Sequence, residues 1–372
     1  MAPVCPPLLP LPPVYRVPYL SPPSDAPLSS SFWSSVPSTA PFVDISTDVV
    51  PRFSTTAQVV YDDWGVHFLG SLSEPNVWFN LTDDQVVIFQ DNDFEVFLDA
   101  SSTTHNYKES ELNANANLWT LALAKAYGDG GYENSTRVMS PGFDALSYGA
   151  LRGSAVSPPS CANDPGAAPC GGWRSYLGLP FEAVLLNSTT DRDARVPNVP
   201  PPKPGSIWRC DFSRVEWRVL TQSGQYVKDP AYPNEDNWVW APTGVVNIHE
   251  PERWGILSFA GPDGAGGEDE LSDYLALFGL RDRAMQIYYA QHAYASDNNG
   301  TFAGDAALLA PYYPAGEDAI GGCGEAVAIE LGEGGAAFVA TVELEGLGSA
   351  AVDQERFLTA RGEGGESAVP YR

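Results

Sequence analysis

The stretch DNDFEVFLD, residues 91–99, decides how the chain is read. Phe94, Val96 and Leu98 alternate with other residues, the two-residue period that sends successive side chains to opposite faces of a β-strand. Asp91-Asn92-Asp93 in front of it is a turn signal. Just upstream, Val86-Val87-Ile88-Phe89 is a further strand candidate. Just downstream, YKESELNANANLW (107–119) holds the next strand, on which Glu111 and Asn113 stand two apart and so share a face.

The same texture continues outward in both directions. Val59-Val60-Tyr61 and Val66-His67-Phe68-Leu69 flank the turn-like Asp62-Asp63, and other strand candidates are Leu118–Ala124, Phe181–Leu186, Trp208–Val219 and Trp254–Phe259. Short strands between Gly, Pro, Asn and Asp clusters predict a mainly β chain, an antiparallel two-sheet β-sandwich and not a βαβ sheet. Ser157–Pro169 and Pro197–Pro204 read as long surface loops. After GPDGAGG (261–267) the texture changes. Leu271–Ala295 has Tyr274, Phe278, Met285 and Tyr288 at three- and four-residue steps, an amphipathic helix stopped at Asn298-Asn299-Gly300. AVAIELGEGGAAFVATVELEG (326–346) reads as a hairpin around a Gly-rich turn. The expected organisation is a Pro/Ser-rich extended lead-in (1–30), the sandwich (31–260), a helix-plus-hairpin extension (261–358) and a Gly/Glu-rich disordered tail (359–372). There is no internal repeat.

Composition narrows the partners. A formal net charge of −27, with only 20 Lys+Arg, repels the phosphates of nucleic acid and an anionic membrane surface. Neutral ligands and cations such as calcium stay open, as does acidity for solubility alone. Ten Trp and seventeen Tyr are a rich supply of flat rings, for the core or for stacking on ligand faces. No run of about 18 apolar residues predicts a transmembrane helix, and MAPVCPPLLPLPPVY lacks the charged start of a signal peptide. Cys161 and Cys170 bracket a loop they could bridge, whereas Cys5, Cys210 and Cys323 have no evident partners. Sequons at Asn80, Asn134, Asn187 and Asn299 suit an extracellular or secretory setting, although some arise by chance.

Several segments, in order, resemble the family 9 carbohydrate-binding-like domain that is appended to some xylanases and also stands alone. They are Phe32-Trp33, Phe42-Val43-Asp44-Ile45, Val60-Tyr61-Asp62-Asp63-Trp64 and Glu74-Pro75-Asn76-Val77-Trp78, then DNDFEVFLD and YKESELNANANLW. WRCDFSRVEW (208–217) and NWVWAPTGVVNIHEPERWG (237–255) complete the set, which spans about residues 20–260. The resemblance implies a two-sheet sandwich, structural calcium, and a slot where two aromatics sandwich a terminal sugar. The function it implies is non-catalytic binding of mono- or oligosaccharides, or the chain ends of polysaccharides such as xylan or glucan, in polysaccharide catabolism.

A sugar has hydroxyl edges and a C–H face, so binding it in water needs aromatic platforms and carboxylate, amide or guanidinium groups. On the family pattern Phe89 falls near one clamp aromatic, where sugar-binding members tend to carry Trp. Trp238 and Trp240, two apart, are the candidates for the other wall. Glu95, Glu111, Asn113 and Arg209 are candidate edge contacts, and the sugar-binding members carry Arg where this chain has Glu111. Each has a structural alternative. Glu95 is otherwise a solvated charge or calcium ligand, Asn113 a satisfied buried amide, one of the Trp pair core, and Arg209 part of an ion-pair network with Arg214 and Glu216. His249, Glu252, Arg253 and Trp254 read as a buried hydrogen-bonded corner. Asp91 and Asp93 are the candidate calcium ligands, in a turn that matches no EF-hand. The rival functions are a glycoside hydrolase acting on O-glycosyl bonds, which needs two carboxylates across the scissile bond, and a sandwich scaffold that has lost the sugar. A b-type haem would need axial His or Met pairs that Met139 and Met285 do not supply.

Overall fold

The computed structural model describes residues 4–185 and 195–364. In chain order the strands are β1 (Val14–Val17), β2 (Val43–Asp44), β3 (Thr55–Tyr61), β4 (Gly65–Leu72), β5 (Asp93–Asp99), β6 (Tyr107–Asn113) and β7 (Leu118–Leu123). They continue as β8 (Leu151–Ser157), β9 (Gly172–Pro180), β10 (Ile207–Glu216), β11 (Val219–Gln222), β12 (Gln225–Lys228), β13 (Asp236–Val239) and β14 (Gly255–Phe259). The last four are β15 (Ala326–Leu331), β16 (Phe338–Leu344), β17 (Gly348–Asp353) and β18 (Leu358–Gly362). The α-helices are α1 (Ser30–Trp33), α2 (Phe181–Leu185), α3 (Glu268–Ala276) and α4 (Phe278–Asp297).

Two sheets face each other. The larger runs β1-β14-β10-β5-β6-β7, with β13 paired to the second half of β10 and β2 paired to β13. Only β1 joins it in parallel. The smaller runs β3-β4-β9-β8. Phe94, Val96 and Leu98 of β5 turn inward and join the core between the sheets. There Phe212 lies 6.0 Å from Phe68 of the opposite sheet and 6.1 Å from Phe94. Each such large side chain contributes about 1.5–3 kcal/mol on burial. The same alternation leaves Asp93, Glu95, Phe97 and Asp99 on the outer face of the larger sheet.

A C-terminal unit sits beside this sandwich. α4 lies on the sheet β15-β16-β17-β18, and Leu280, Ile287, Phe338, Val342 and Val352 share its core. Tyr274 and Phe278 pack on Ile207 and Ile256, so the helices cover one end of the larger sheet's outer face. Arg356, at a left-handed φ of 70°, reaches back to Asp129 (2.8 Å) and Glu252 (2.6 Å).

Several expectations change. Val86–Phe89 is not a strand; Ile88–Gln90 form one 3-10 turn that buries Ile88. Phe181–Leu186 was expected as a strand, yet Phe181–Leu185 is helical. The helix expected at 271–295 is two, parted at Leu277. The 326–346 hairpin forms as β15 and β16, and two more strands extend it to Gly362, so residues 359–362 are not a disordered tail. Residues 365–372 lie outside the described residues. Residues 4–30 are part of the fold and not a mere lead-in: β1 pairs with β14, and Cys5 forms a disulfide with Cys323. Cys161 bridges Cys170, and Cys210 is free and buried. No helix of the described residues is long and apolar enough to cross a membrane. Of the sequons, Asn80 and Asn299 are exposed, while buried Asn134 accepts a hydrogen bond from Phe143 N–H (3.0 Å). Asn187 lies outside the described residues.

Candidate functional site

The outer face of the larger sheet carries a pocket of about 280 Å³. Strand register builds its floor. Across neighbouring strands Trp119, Glu111, Glu95 and Ser213 form one row, and Glu109, Phe97 and Asp211 form the next. Asn113, Asp93, Val215 and Asn237 form the row on the other side. Phe89, Tyr127, Val246 and His249 come in from loops to border it.

Phe89 is held by its backbone. Its N–H donates to Glu111 Oε2 (2.9 Å), and its carbonyl accepts the Trp217 indole N–H (2.8 Å). His249 Nδ1 lies 3.0 Å from the Tyr107 hydroxyl, and its ring meets Tyr127 edge to face at 4.6 Å. Burial pushes the His249 pKa down to about 4, so the imidazole is neutral at physiological pH. The Trp119 indole N–H has no partner, although the Arg137 guanidinium lies 5.5 Å from its ring.

The floor concentrates acid. Asp93, Glu95, Glu109 and Glu111 are all buried. Burial first, and neighbouring carboxylates besides, push the carboxyl of Glu109 up to about 8. Burial, with Glu235 adding to it and a bond from Ser213 opposing, pushes Glu95 up to about 7. Asp93 and Glu111 are driven well above the carboxylate range for the same reasons. Asp93 Oδ2 and Glu109 Oε2 have no hydrogen-bond partner.

Of the residues singled out in the sequence, Phe89, Glu95 and Glu111 line this pocket. The others do not. Trp238 and Trp240 are buried in the core between the sheets, the wrong side for a wall. Trp238 pairs with Arg214 and lies 5.0 Å from its guanidinium, while Trp240 packs on Phe212 at 5.5 Å. Gly255 makes room for Trp240, since a Cβ there would come within 2.3 Å of the indole. Between the two tryptophans' register positions and the pocket stands Asn237, which faces out instead.

Asn113 is the satisfied buried amide of the alternative reading. It donates to Leu81 O and Asp91 Oδ2 and accepts from the N–H groups of Asn115 and Asn117. Arg209 shares the outer face but sits at the end covered by α3 and α4, donating to Glu252 O (2.6 Å) beneath Phe278. Arg214, Glu216 and Glu74 form a buried ion network at 2.7 and 2.8 Å, and Arg209, expected in it, bonds backbone carbonyls instead. Asp91 Oδ2 is taken up by Asn80 N–H, Leu81 N–H and the Asn113 amide, whereas Asp93 Oδ2 has no such partner. The sequence did not single out Glu109, Trp119, Tyr127 or Asn237, and His249 was expected only in a buried hydrogen-bonded corner. Glu109 stands two residues before Glu111 and was open to the same alternation argument; the loop residues gave no such signal.

No family model matches this sequence, and no curated protein matches it. Comparison with solved structures finds likenesses at low identity. One is to a candidate carbohydrate-binding protein from Bacteroides uniformis, 16% identical with a TM-score of 0.46, over 67% of this chain and 99% of that one. Another is to a carbohydrate-binding module of family 9 from Caldicellulosiruptor kristjanssonii in complex with glucose, 14% identical with a TM-score of 0.39, over 67% and 96%. The same module in complex with cellotriose gives 15% and 0.40, over 67% and 94%. These scores are low, and the site rests on this chain's own geometry.

Proposed function

We propose that the pocket binds one sugar unit, free or at the end of an oligosaccharide or polysaccharide chain, without cleaving it. The observation that supports this is a pocket whose floor holds hydrogen-bonding atoms without protein partners beside aromatic rings. Buried polar groups in native proteins nearly always have partners. Here the Trp119 N–H, Glu109 Oε2 and Asp93 Oδ2 have none. Trp119 and Glu109 line a floor bordered by Phe89, Tyr127 and His249, and Asp93 stands in the adjoining row of the sheet. A polyol supplies both donors and acceptors for such atoms, and its C–H face suits the rings.

Hydrolysis fits less well. A glycosidase sets its two carboxyl groups on opposite sides of the scissile bond. Glu95, Glu109 and Glu111 rise from adjacent strands of one sheet and approach any ligand from one side. Two disulfides suit an oxidising, extracellular or secretory setting.

Calorimetric titration of the full chain tests the reading, with glucose, xylose, cellobiose and cellotriose as probes. Binding is expected with at least one of them, weakened about tenfold in Tyr127→Ala through loss of a stacking ring. A folded protein that gives no heat with any of them would leave the scaffold that has lost its sugar as the better account.

A further inference from the structure

We propose that Asp93, Glu95 and Glu111 bind a hard divalent cation of the Ca²⁺ type at the pocket floor. The ion site stands independently of the sugar reading; only the idea that its open positions accept sugar hydroxyls rests on it.

Register alone brings the three carboxylates together. Glu95 and Glu111 are directly opposed on β5 and β6, and Asp93 is the next outward residue of β5. One oxygen from each lies within 4.8 Å of the others. Ligands across an ion at 2.3–2.6 Å stand about 4.6–5.2 Å apart, so oxygens at this spacing close around a Ca²⁺-sized sphere with little movement.

A cluster of acids is not in itself a site, and two atoms make this one more than a cluster. Asp93 is wholly buried, with Oδ1 fixed by the Val215 N–H (3.1 Å) and Oδ2 without a partner. Glu109, also buried, has Oε2 without a partner on the same floor. Such orphaned buried acceptors are destabilising unless something positive occupies the space beside them.

The cationic side chains of this region are committed elsewhere. Arg214 pairs with Glu74 and Glu216, Arg137 pairs with Glu133, and Lys228 sits 3.2 Å from the Trp217 ring centroid. Among the described residues no Lys or Arg forms an ion pair with Asp93, Glu95, Glu109 or Glu111. The donors are all oxygen, which favours Ca²⁺ over zinc or copper. The pocket provides access, because Glu95, Glu109 and Glu111 line it.

The test is Ca²⁺ titration by calorimetry into the full chain stripped with a chelator, without sugar, alongside Tb³⁺ luminescence sensitised by Trp119. One site is expected. Glu111→Gln should weaken it by at least about tenfold, the loss that even outer partners of a metal site cause. The metal-free melting temperature of this variant should stay level or rise, because glutamine keeps an acceptor for the Phe89 N–H and removes one of several crowded buried acids; a misfolded variant would melt lower. Glu343→Gln, exposed on β16 of the C-terminal sheet, should bind as the wild type does.

Wild-type protein with neither heat nor Tb³⁺ signal would overturn the proposal, as would Glu111→Gln binding Ca²⁺ undiminished. Glucosamine binding that depends on Glu111, in a chain that ignores Ca²⁺, would assign the cluster to an amine and overturn it equally. Ca²⁺ binding without any sugar binding would keep the ion site and remove the sugar reading. Sugar affinity that rises with saturating Ca²⁺ supports open positions facing the pocket, and affinity that ignores Ca²⁺ overturns that part.

Discussion

Trp119 and Trp240 are both buried, at 5% and 6% exposure, yet they answer to different environments. Trp240 fills the space between Phe212 and Gly255 inside the sandwich. Trp240→Ala should cost about 3–5 kcal/mol in stability through its cavity, leaving the sugar affinity of the folded protein within about twofold. Trp119→Phe keeps a ring but removes an N–H with no protein partner, so stability should hardly change. Sugar binding should then weaken about fivefold to tenfold, the value of one hydrogen bond. Urea midpoints and calorimetry on both variants decide the matter, and sugar binding lost only in the Trp240 variant would move the site to the other face. Arg214 offers a third contrast. Its guanidinium is completely buried against Glu74 and Glu216, and Arg214→Met removes the buried cation from both carboxylates, leaving Glu216 the Asn92 amide and Glu74 the Asn76 N–H, at a cost of about 3–5 kcal/mol in urea unfolding. The alternation in β5 and β6 is legible, and together with the family resemblance it singles out Glu95 and Glu111. That Asn237 faces out and Trp238 in depends on Val215 opposing Asn237 across β10 and β13, a register no local pattern reveals.

At the scale of elements, runs with several alternations read true, as β5, β10 and the β15–β16 hairpin show. Short apolar runs did not. Val86–Phe89 and Phe181–Leu186 are too brief for periodicity to separate a strand from a helical turn. α4 was blurred for another reason. Arg281, Asp282 and Arg283 are buried on it, each with a partner: Ser102 O, the N–H groups of Leu8 and Leu9, and Glu325. Those partners lie far away in the sequence, so the helix could not display a clean apolar stripe. The closest approach is at Gly279, where a Cβ would stand 1.8 Å from the Cys5 carbonyl oxygen. Ala is the better helix former by about 1 kcal/mol, and on propensity alone Gly279→Ala should stabilise. The contact reverses the sign, because Cys5 is tethered to Cys323 and cannot move aside freely. A net loss of about 1–3 kcal/mol is expected in urea unfolding. With the disulfide reduced the segment can retreat, and the loss should shrink; stabilisation in the oxidised protein would mean that residues 5–9 do not ride on α4.

The whole molecule depends on how the C-terminal unit is fastened to the sandwich, and a buried charge network does much of that. Arg356 from the C-terminal sheet bonds Asp129 and Glu252 of the sandwich, and the hydroxyl of Tyr289 on α4 also bonds Glu252. Glu250 stands beside them, 2.9 Å from Arg253. Burial, with the Glu252 charge adding to it, pushes the Glu250 carboxyl from its ordinary 4.5 up to about 7, although Arg253, Arg356 and Tyr289 pull the other way. The native state therefore holds this proton more tightly than the unfolded chain does. The stability it contributes is complete below about pH 4.5 and is lost as the pH climbs through about 7. In a chain with a net charge of −27 many carboxylates titrate, so the prediction concerns a difference and not the raw profile. Glu250→Gln keeps the shape beside Arg253 but has no proton to lose. Between about pH 5 and pH 8 it should lose less stability than the wild type, by up to about 3 kcal/mol. Urea unfolding at fixed ionic strength across that range measures this directly. Parallel profiles would mean that Glu250 holds its proton no more tightly in the folded protein, and that the junction is wetter than its burial indicates. Profiles that diverge toward high pH would make the fastening of the two units weaker in alkaline than in acidic surroundings.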